Sequence, residues 1–245
     1  MYKYFKHQNI PNKCAKCVII DFRSDSDTIH NLNELGIDVI PTIPVHCIQN
    51  AVCGHADMML HHIGENRFIA APEAYTYYKS VLPDSEVIQG SKQLSPDYPN
   101  DIAYNCAVFG DYVICSTAYT ANELLKEYRN KTIINLKQGY AKCSTCIVSE
   151  NAVITADEGI AAECRKHGID VLKIVPGYIE LPEMNYGFIG GSTGLISNDV
   201  LAINGELKTH PDGESIRNFC RSHGVNVYEL KKGLIKDIGS IMAIF

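Results

Sequence analysis

Three polar stretches in this 245-residue chain hold residue types suited to covalent catalysis: His55-Ala56-Asp57, Lys142-Cys143-Ser144-Thr145 and Asp237-Ile238-Gly239-Ser240. A cysteine attacks as its thiolate and needs a nearby base or cation to form it. A histidine can supply the base and then return the proton as a general acid. Read as part of a strand, His55 and Asp57 are two apart and point the same way. Neither suits an apolar sheet interior, and the Met58-Met59-Leu60 that follows argues against a freely solvated face. Taken alone, Cys143 reads as a buried core thiol, the usual fate of a cysteine. Its pairing with His55 makes it a candidate nucleophile.

Ten cysteines with no secretion signal point to free thiols in a reducing compartment. Two C-x-x-C pairs, Cys14/Cys17 and Cys143/Cys146, raise a zinc reading. Both pairs border β-branched runs, CVII and CIVS. Residues three apart on a strand face opposite ways, so neither pair would converge on one metal. The net charge of −6 offers no basic excess for a nucleic-acid backbone. No apolar run reaches the ~18 residues of a membrane helix. The opening MYKYFKHQNIPNK lacks a following apolar core, so a cytoplasmic protein is expected.

The elements that would position these residues come from a recurring unit. From Cys143 the chain reads CSTCIV, the turn Ser149-Glu150-Asn151, AVITA, the helical stretch DEGIAAECRKHG, and IDVLKI. This predicts strand, tight turn, strand, helix, strand. The order returns from Gly191 (GSTGLI, VLAIN, GESIRNFCRSHG, VNVYEL), from Asn105 (NCAVF, YVICS, ANELLKEY, TIINL) and from His55 (HADMMLHHI, RFIAA, PEAYTYYKSVL, EVIQG). A fifth copy, Lys16 to Thr42, lacks its first strand, and the chain ends on GSIMAIF, a strand without a helix. The two fragments complete each other. The expected fold is therefore a single α/β domain over 1–245, a five-bladed propeller of ββαβ repeats closed by pairing of the N- and C-terminal strands. First strands approach the axis of such a ring, so the residues entering them would line one pocket. These are His55 and Asp57, Asn105, Cys143, Gly190-Gly191-Ser192, and Asp237 to Ser240.

At these residues the chain resembles the pentein, or guanidine-modifying enzyme, superfamily of amidinotransferases and deiminases. GHADMMLHHIGENRF resembles its H-x-D strand and hairpin, and GYAKCSTCIV its glycine-led cysteine segment. In the familiar members the cysteine lies near the C-terminus. Here a further unit follows it, which implies a circularly permuted order of repeats. PEMNYGFIGGSTGLI then resembles the family's first repeat, with Asn185, or Glu183 if the loop shifts, where a guanidinium-binding Asp is expected. Asp237 stands where the family has Glu.

The resemblance implies a cysteine-dependent hydrolase or transferase that acts on a guanidino or amidino group of a small molecule through an S-amidino intermediate. Its catalytic residues would be Cys143, His55 and Asp57. Asp237, Asn185, Glu183 and Asn105 would be the substrate-binding set. No metal or organic cofactor, nucleic acid or membrane is called for. The alternative is a non-catalytic binding protein similar to the ribosome-subunit-binding translation factor of the same fold.

Overall fold

The apolar runs read as strands form five three-stranded sheets in the computed structural model, which describes residues 4–245. Residues 1–3, the start of the segment read against a leader peptide, lie outside the described residues. In chain order, β1 (Cys17–Ile20), α1 (Ser26–Glu34) and β2 (Asp38–Pro41) open the fold. Next come α2 (Ala56–Met59), β3 (Leu60–Gly64), β4 (Arg67–Ala70), α3 (Pro72–Val81) and β5 (Glu86–Gln89). A third group holds β6 (Ala107–Phe109), β7 (Tyr112–Cys115), α4 (Asn122–Glu127) and β8 (Thr132–Asn135). A fourth holds α5 (Ala141–Ser144), β9 (Thr145–Ser149), β10 (Ala152–Thr155), α6 (Glu158–Lys166) and β11 (Asp170–Lys173). The last holds β12 (Thr193–Leu195), β13 (Val200–Ile203), α7 (Gly213–Ser222), β14 (Asn226–Glu229) and finally β15 (Met242–Ala243).

In every sheet the middle strand pairs antiparallel with the first and parallel with the third. The helix supplies the crossover that a parallel pair requires. Middle strands such as VII of β1 and VIT of β10 are almost entirely buried, which is why they read as unbroken apolar runs. Third strands such as β5 and β11 are half covered and mix polar with apolar residues. In α6 and α7 the buried positions, Ile160, Ala161 and Cys164 and then Ile216 and Cys220, recur at helical spacing. Asp157 caps α6, its Oδ1 accepting from the Ile160 N–H at 2.8 Å. The two HG endings are helix stops. Gly168 and Gly224 sit at φ +75° and +76° in open space, so conformation rather than crowding requires glycine there.

The fifth sheet joins the two ends of the chain. β15 pairs antiparallel with β1, Val18 opposite Ala243 and Ile19 opposite Met242. Between sheets, β9 lies against β6 and β12, and β12 lies against β15. Backbone bonds run across this last junction, from Ser240 N to Gly191 O at 2.7 Å and from Ile241 N to Thr193 O at 3.1 Å. Among the described residues no helix is long and apolar enough to cross a membrane.

One local expectation is corrected. His55-Ala56-Asp57 and Cys143 do not lie on strands. Asp57 and Cys143 belong to the single helical turns α2 and α5, and His55 caps the first of these. Each turn bends the chain from a loop into its strand, and its backbone is satisfied outside any ladder. Met58 N bonds His55 O, Asp57 N bonds Gly239 O and Ser144 N bonds Tyr140 O. The period-two argument for a shared side-chain direction therefore does not apply.

A Cβ on Gly194 would lie 1.9 Å from the Ile241 carbonyl oxygen, across the junction of β12 and β15. Gly194→Ala is expected to cost about 1–3 kcal/mol, the usual range for overpacking. Chemical denaturation checks this, and an unchanged midpoint would show that the junction is loose.

Candidate active site

The two helical turns bring His55, Asp57 and Cys143 together. All three are almost fully buried, and one nitrogen, one carboxylate oxygen and the sulfur lie within 4.8 Å of one another. The Cys143 S–H faces both Asp57 oxygens at 3.3 Å. Asn105, ahead of β6, stands on the other side of the sulfur. Its Oδ1 accepts from the Lys142 N–H at 2.8 Å and the Cys143 N–H at 3.4 Å. That fixes the amide orientation, so its Nδ2 donates to Sγ at 3.0 Å and to the Asp57 carbonyl at 3.1 Å.

Three carboxylates surround the thiol and imidazole, each answered differently. Asp57 Oδ2 accepts from Ser240 Oγ at 2.6 Å, and Ser240 in turn accepts from the buried Lys142 Nζ at 2.8 Å. Asp21, which follows β1, is clasped by Arg23, with an Nη2–Oδ2 distance of 2.6 Å, and its Oδ2 lies 3.9 Å from His55 Nε2. Asp237 takes the backbone N–H groups of Phe188 at 2.9 Å and Gly239 at 3.0 Å. The only side-chain nitrogen near it among the described residues is His55 Nδ1, at 3.8 Å, which itself has no hydrogen-bond partner.

Electrostatics follow from this arrangement. Burial, then the negative charges of Asp57 and Asp237, push the Cys143 thiol well above its ordinary value, and the Asn105 N–H works the other way. Burial also raises the Asp237 carboxyl, with His55 opposing and Asp57 adding to the shift. The protein's own groups thus favour the protonated thiol.

Two cavities meet at this cluster. One, of about 220 Å³, is walled by His55, Cys143 and Asp237 at its base, with Tyr140, Phe188 and Tyr186 around it and Asn185 on its lining. The other, of about 480 Å³, shares His55, Asp237 and Leu181 and carries Arg23, Glu183 and Lys236. Of the residues expected to bind substrate, Asn105 and Asp237 lie at the cluster and Asn185 on the first chamber. Glu183 lies in the second chamber, where its Oε1 accepts from Asn50 Nδ2 at 2.5 Å. It is not brought to Cys143, because the loop turns there with Glu183 at φ +69°.

The sequence reading missed Asp21, Arg23 and Lys142, and left Ser240 without a role. Asp21 follows a second strand, a station the search of first strands passed over. Lys142 sits beside the candidate nucleophile, but only its burial reveals it.

His55, Asp57 and Cys143 are close enough to share one cation. Of the C-x-x-C pairs, Cys17 lies on β1 and Cys146 on β9, in separate sheets, and Cys14 is exposed while Cys17, Cys143 and Cys146 are buried free thiols. His61 and His62 serve packing. His61 bonds Tyr128 Oη at 2.7 Å and His62 stacks on Phe68, and burial takes them down to about 3 and about 4.

Comparison with known proteins places this geometry. Residues 19–242 match the model of a family of unknown function, DUF6873. The chain belongs to that family. No curated protein matches it in sequence. Solved structures do match in fold. An amidinotransferase of the saxitoxin biosynthetic pathway from Microseira wollei aligns at TM-score 0.57 and 11% identity, over 92% of this chain and 90% of that one. DDAH from Pseudomonas aeruginosa, complexed with citrulline, aligns at 0.56 and 10%, over 88% and 92%. The agmatine deiminase of C. jejuni aligns at 0.58 and 11%, over 91% and 90%. The DUF6873 chain therefore has the pentein fold, an α/β fold of five small sheets.

Asp57→Asn removes a charge that raises the thiol. Thiolate formation at Cys143, followed by absorbance near 240 nm against pH, is expected to move to lower pH in that variant. In the parent it rises only above the usual thiol range. An unmoved curve would mean that the two side chains do not share a field.

Proposed function

We propose that this protein is a cysteine-dependent enzyme that hydrolyses or transfers the amidino group of a small guanidino or amidino compound. The observation that carries this reading is the buried thiol, facing carboxylates and an unpartnered imidazole nitrogen, on the wall of a small chamber. The likeness in fold to amidinotransferases, DDAH and an agmatine deiminase supports the reaction class. We further read the five sheets as a closed propeller in permuted unit order. The pairing of β15 with β1 and the seams along β6, β9, β12 and β15 support closure.

In this mechanism Cys143 is the nucleophile, His55 the general acid and base, and Asp57 with Asp237 the seat of the planar cation. Carboxylates match the paired N–H groups of a guanidinium. Asp237 has no full counter-charge and so has most to gain. When the cation enters, its positive charge opposes the field that keeps the thiol protonated. The thiol proton passes to His55 and the thiolate adds to the amidine carbon. The carbon–nitrogen bond to the departing amine breaks as His55 protonates that amine, leaving the amidino group on Sγ. His55 then takes a proton from water, or from an acceptor amine, which attacks the same carbon. The carbon–sulfur bond breaks, and His55 returns its proton to the thiolate. A non-catalytic binding module has no use for a buried thiol held in this way.

A screen of guanidino compounds for release of ammonia or amine tests the reading. Cys143→Ser is expected to abolish turnover with folding intact. His55→Ala should lower kcat by about 10²–10⁴-fold, the usual worth of a general acid–base group. Acid-quenched reaction mixtures should show an amidino mass increment on Cys143, absent from Cys143→Ser. Turnover that survives in either variant overturns the assignment.

Asp237→Asn is expected to weaken guanidinium binding by about 10–100-fold, in line with a lost charge-assisted bond. Calorimetric titration of the Cys143→Ser background measures this. Unchanged affinity would move the cation seat elsewhere.

A further inference from the structure

Resting on the reading above, the geometry points to a substrate whose tail beyond the guanidinium or amidinium is short, uncharged and apolar. The chamber above Cys143 sets this limit. Its base supplies negative charge through Asp237, with Asp57 behind the sulfur. Its walls are mostly Val52, Leu181, Met184, Tyr140, Tyr186 and Phe188, with the uncharged amides of Gln49 and Asn185 among them, and no lysine or arginine lines it. Tyr140 and Tyr186 both pack on Phe188, with ring centres 6.1 and 6.2 Å apart, so the wall is one aromatic surface. The Tyr140 hydroxyl does not present itself to the chamber as a free donor, because it donates to Asp101 at 2.6 Å.

A carboxylate on a short tail would be stripped of water against this wall with no cation to receive it, which is costly. A second ammonium would meet no acid beyond Asp237, which the first cation already occupies. The cations of the neighbouring chamber are engaged. Arg23 is bound to Asp21 and to the carbonyls of Asn50 and Ala51, and Lys236 lies 3.7 Å from Asp25. An alkyl or aryl tail instead covers apolar surface, and the cation ahead of it faces aromatic rings. The volume, about 220 Å³, falls below the ~300 Å³ at which pockets for drug-sized ligands begin, so the arm is short.

The test uses the Cys143→Ser protein and three guanidines of one short arm length that end in a methyl, a carboxylate or an ammonium group, titrated by calorimetry. The methyl-ended ligand is expected to bind at least about tenfold more tightly than either charged one. Tightest binding by the carboxylate- or ammonium-ended ligand overturns the inference and leaves the proposed reaction class standing. Failure of all three to bind overturns the reaction class, and the inference with it. A rim substitution gives an independent check. Met184→Lys, at a position 45% exposed, should narrow the methyl-to-carboxylate ratio several-fold. An unchanged ratio would show that the tail does not run along this wall.

Discussion

The contact between the buried Cys143 thiol and the buried Asp57 carboxylate, at 3.3 Å, is the constraint around which the rest is arranged. A carboxylate taken out of water is costly unless charge or hydrogen bonds replace the hydration. The molecule replaces it unevenly. Asp57 has Ser240 and behind it Lys142, and Asp21 has Arg23. Asp237 has two backbone N–H groups and a distant imidazole. The shortfall in positive charge is thus concentrated at one acid, and that acid lines the chamber. A site built to hold itself together would have closed this deficit; one that recruits a cation leaves it open.

The architecture makes such a cluster possible because four of the five units contribute from the turn or loop that enters the first strand. His55 and Asp57 come from the turn before β3, Asn105 from the loop before β6, Cys143 from the turn before β9 and Asp237 from the segment before β15. Apart from His55 and Asp57, which share one turn, these groups come from different units. The contacts of Cys143 with Asp57 and Asn105, and of His55 with Asp237, run between units, so the site exists only where the units meet. Glycines permit that approach. A Cβ on Gly191 would lie 2.0 Å from Asp237 Oδ1, and one on Gly239, at φ +66°, would lie 2.2 Å from the His55 Cβ. These two glycines are spacers for the carboxylate and the imidazole.

Much of this was legible before any coordinates. Middle strands are covered on both sides, so VII, FIA, VIC, VIT and LAI stand out as apolar runs between turn residues. The RKHG and RSHG endings mark two helices by their glycine stops. The missing first strand of the opening unit and the orphan strand at the end pointed to the pairing of β1 with β15. The local form of the site was not legible. A single helical turn such as Ala56–Met59 or Ala141–Ser144 is too short to show periodicity, and its apolar residues pass for a strand. Asp21 and Lys142 escaped because their significance lies in partners far along the chain, His55 for one and Ser240 for the other. Glu183 looked like a spare acid for the cation, yet a left-handed turn directs it to Asn50 in the neighbouring chamber.

A thiol held above its ordinary pKa looks at first like a poor nucleophile. The sign of the field at Cys143 depends on what occupies the chamber. The protein itself shows the sulfur burial and two acids, all of which favour S–H, and one amide hydrogen that does not suffice to offset them. In the proposed reaction a seated planar cation would oppose the acids and place positive charge beside the sulfur, which favours the thiolate. In that proposal the carboxylates that raise the thiol are also the groups that select the molecule able to activate it. A neutral ligand of the same shape could fill the space and would not reverse the field. Discrimination between a cation and its uncharged isostere therefore acts twice, once in binding and once in forming the thiolate, with no moving part required.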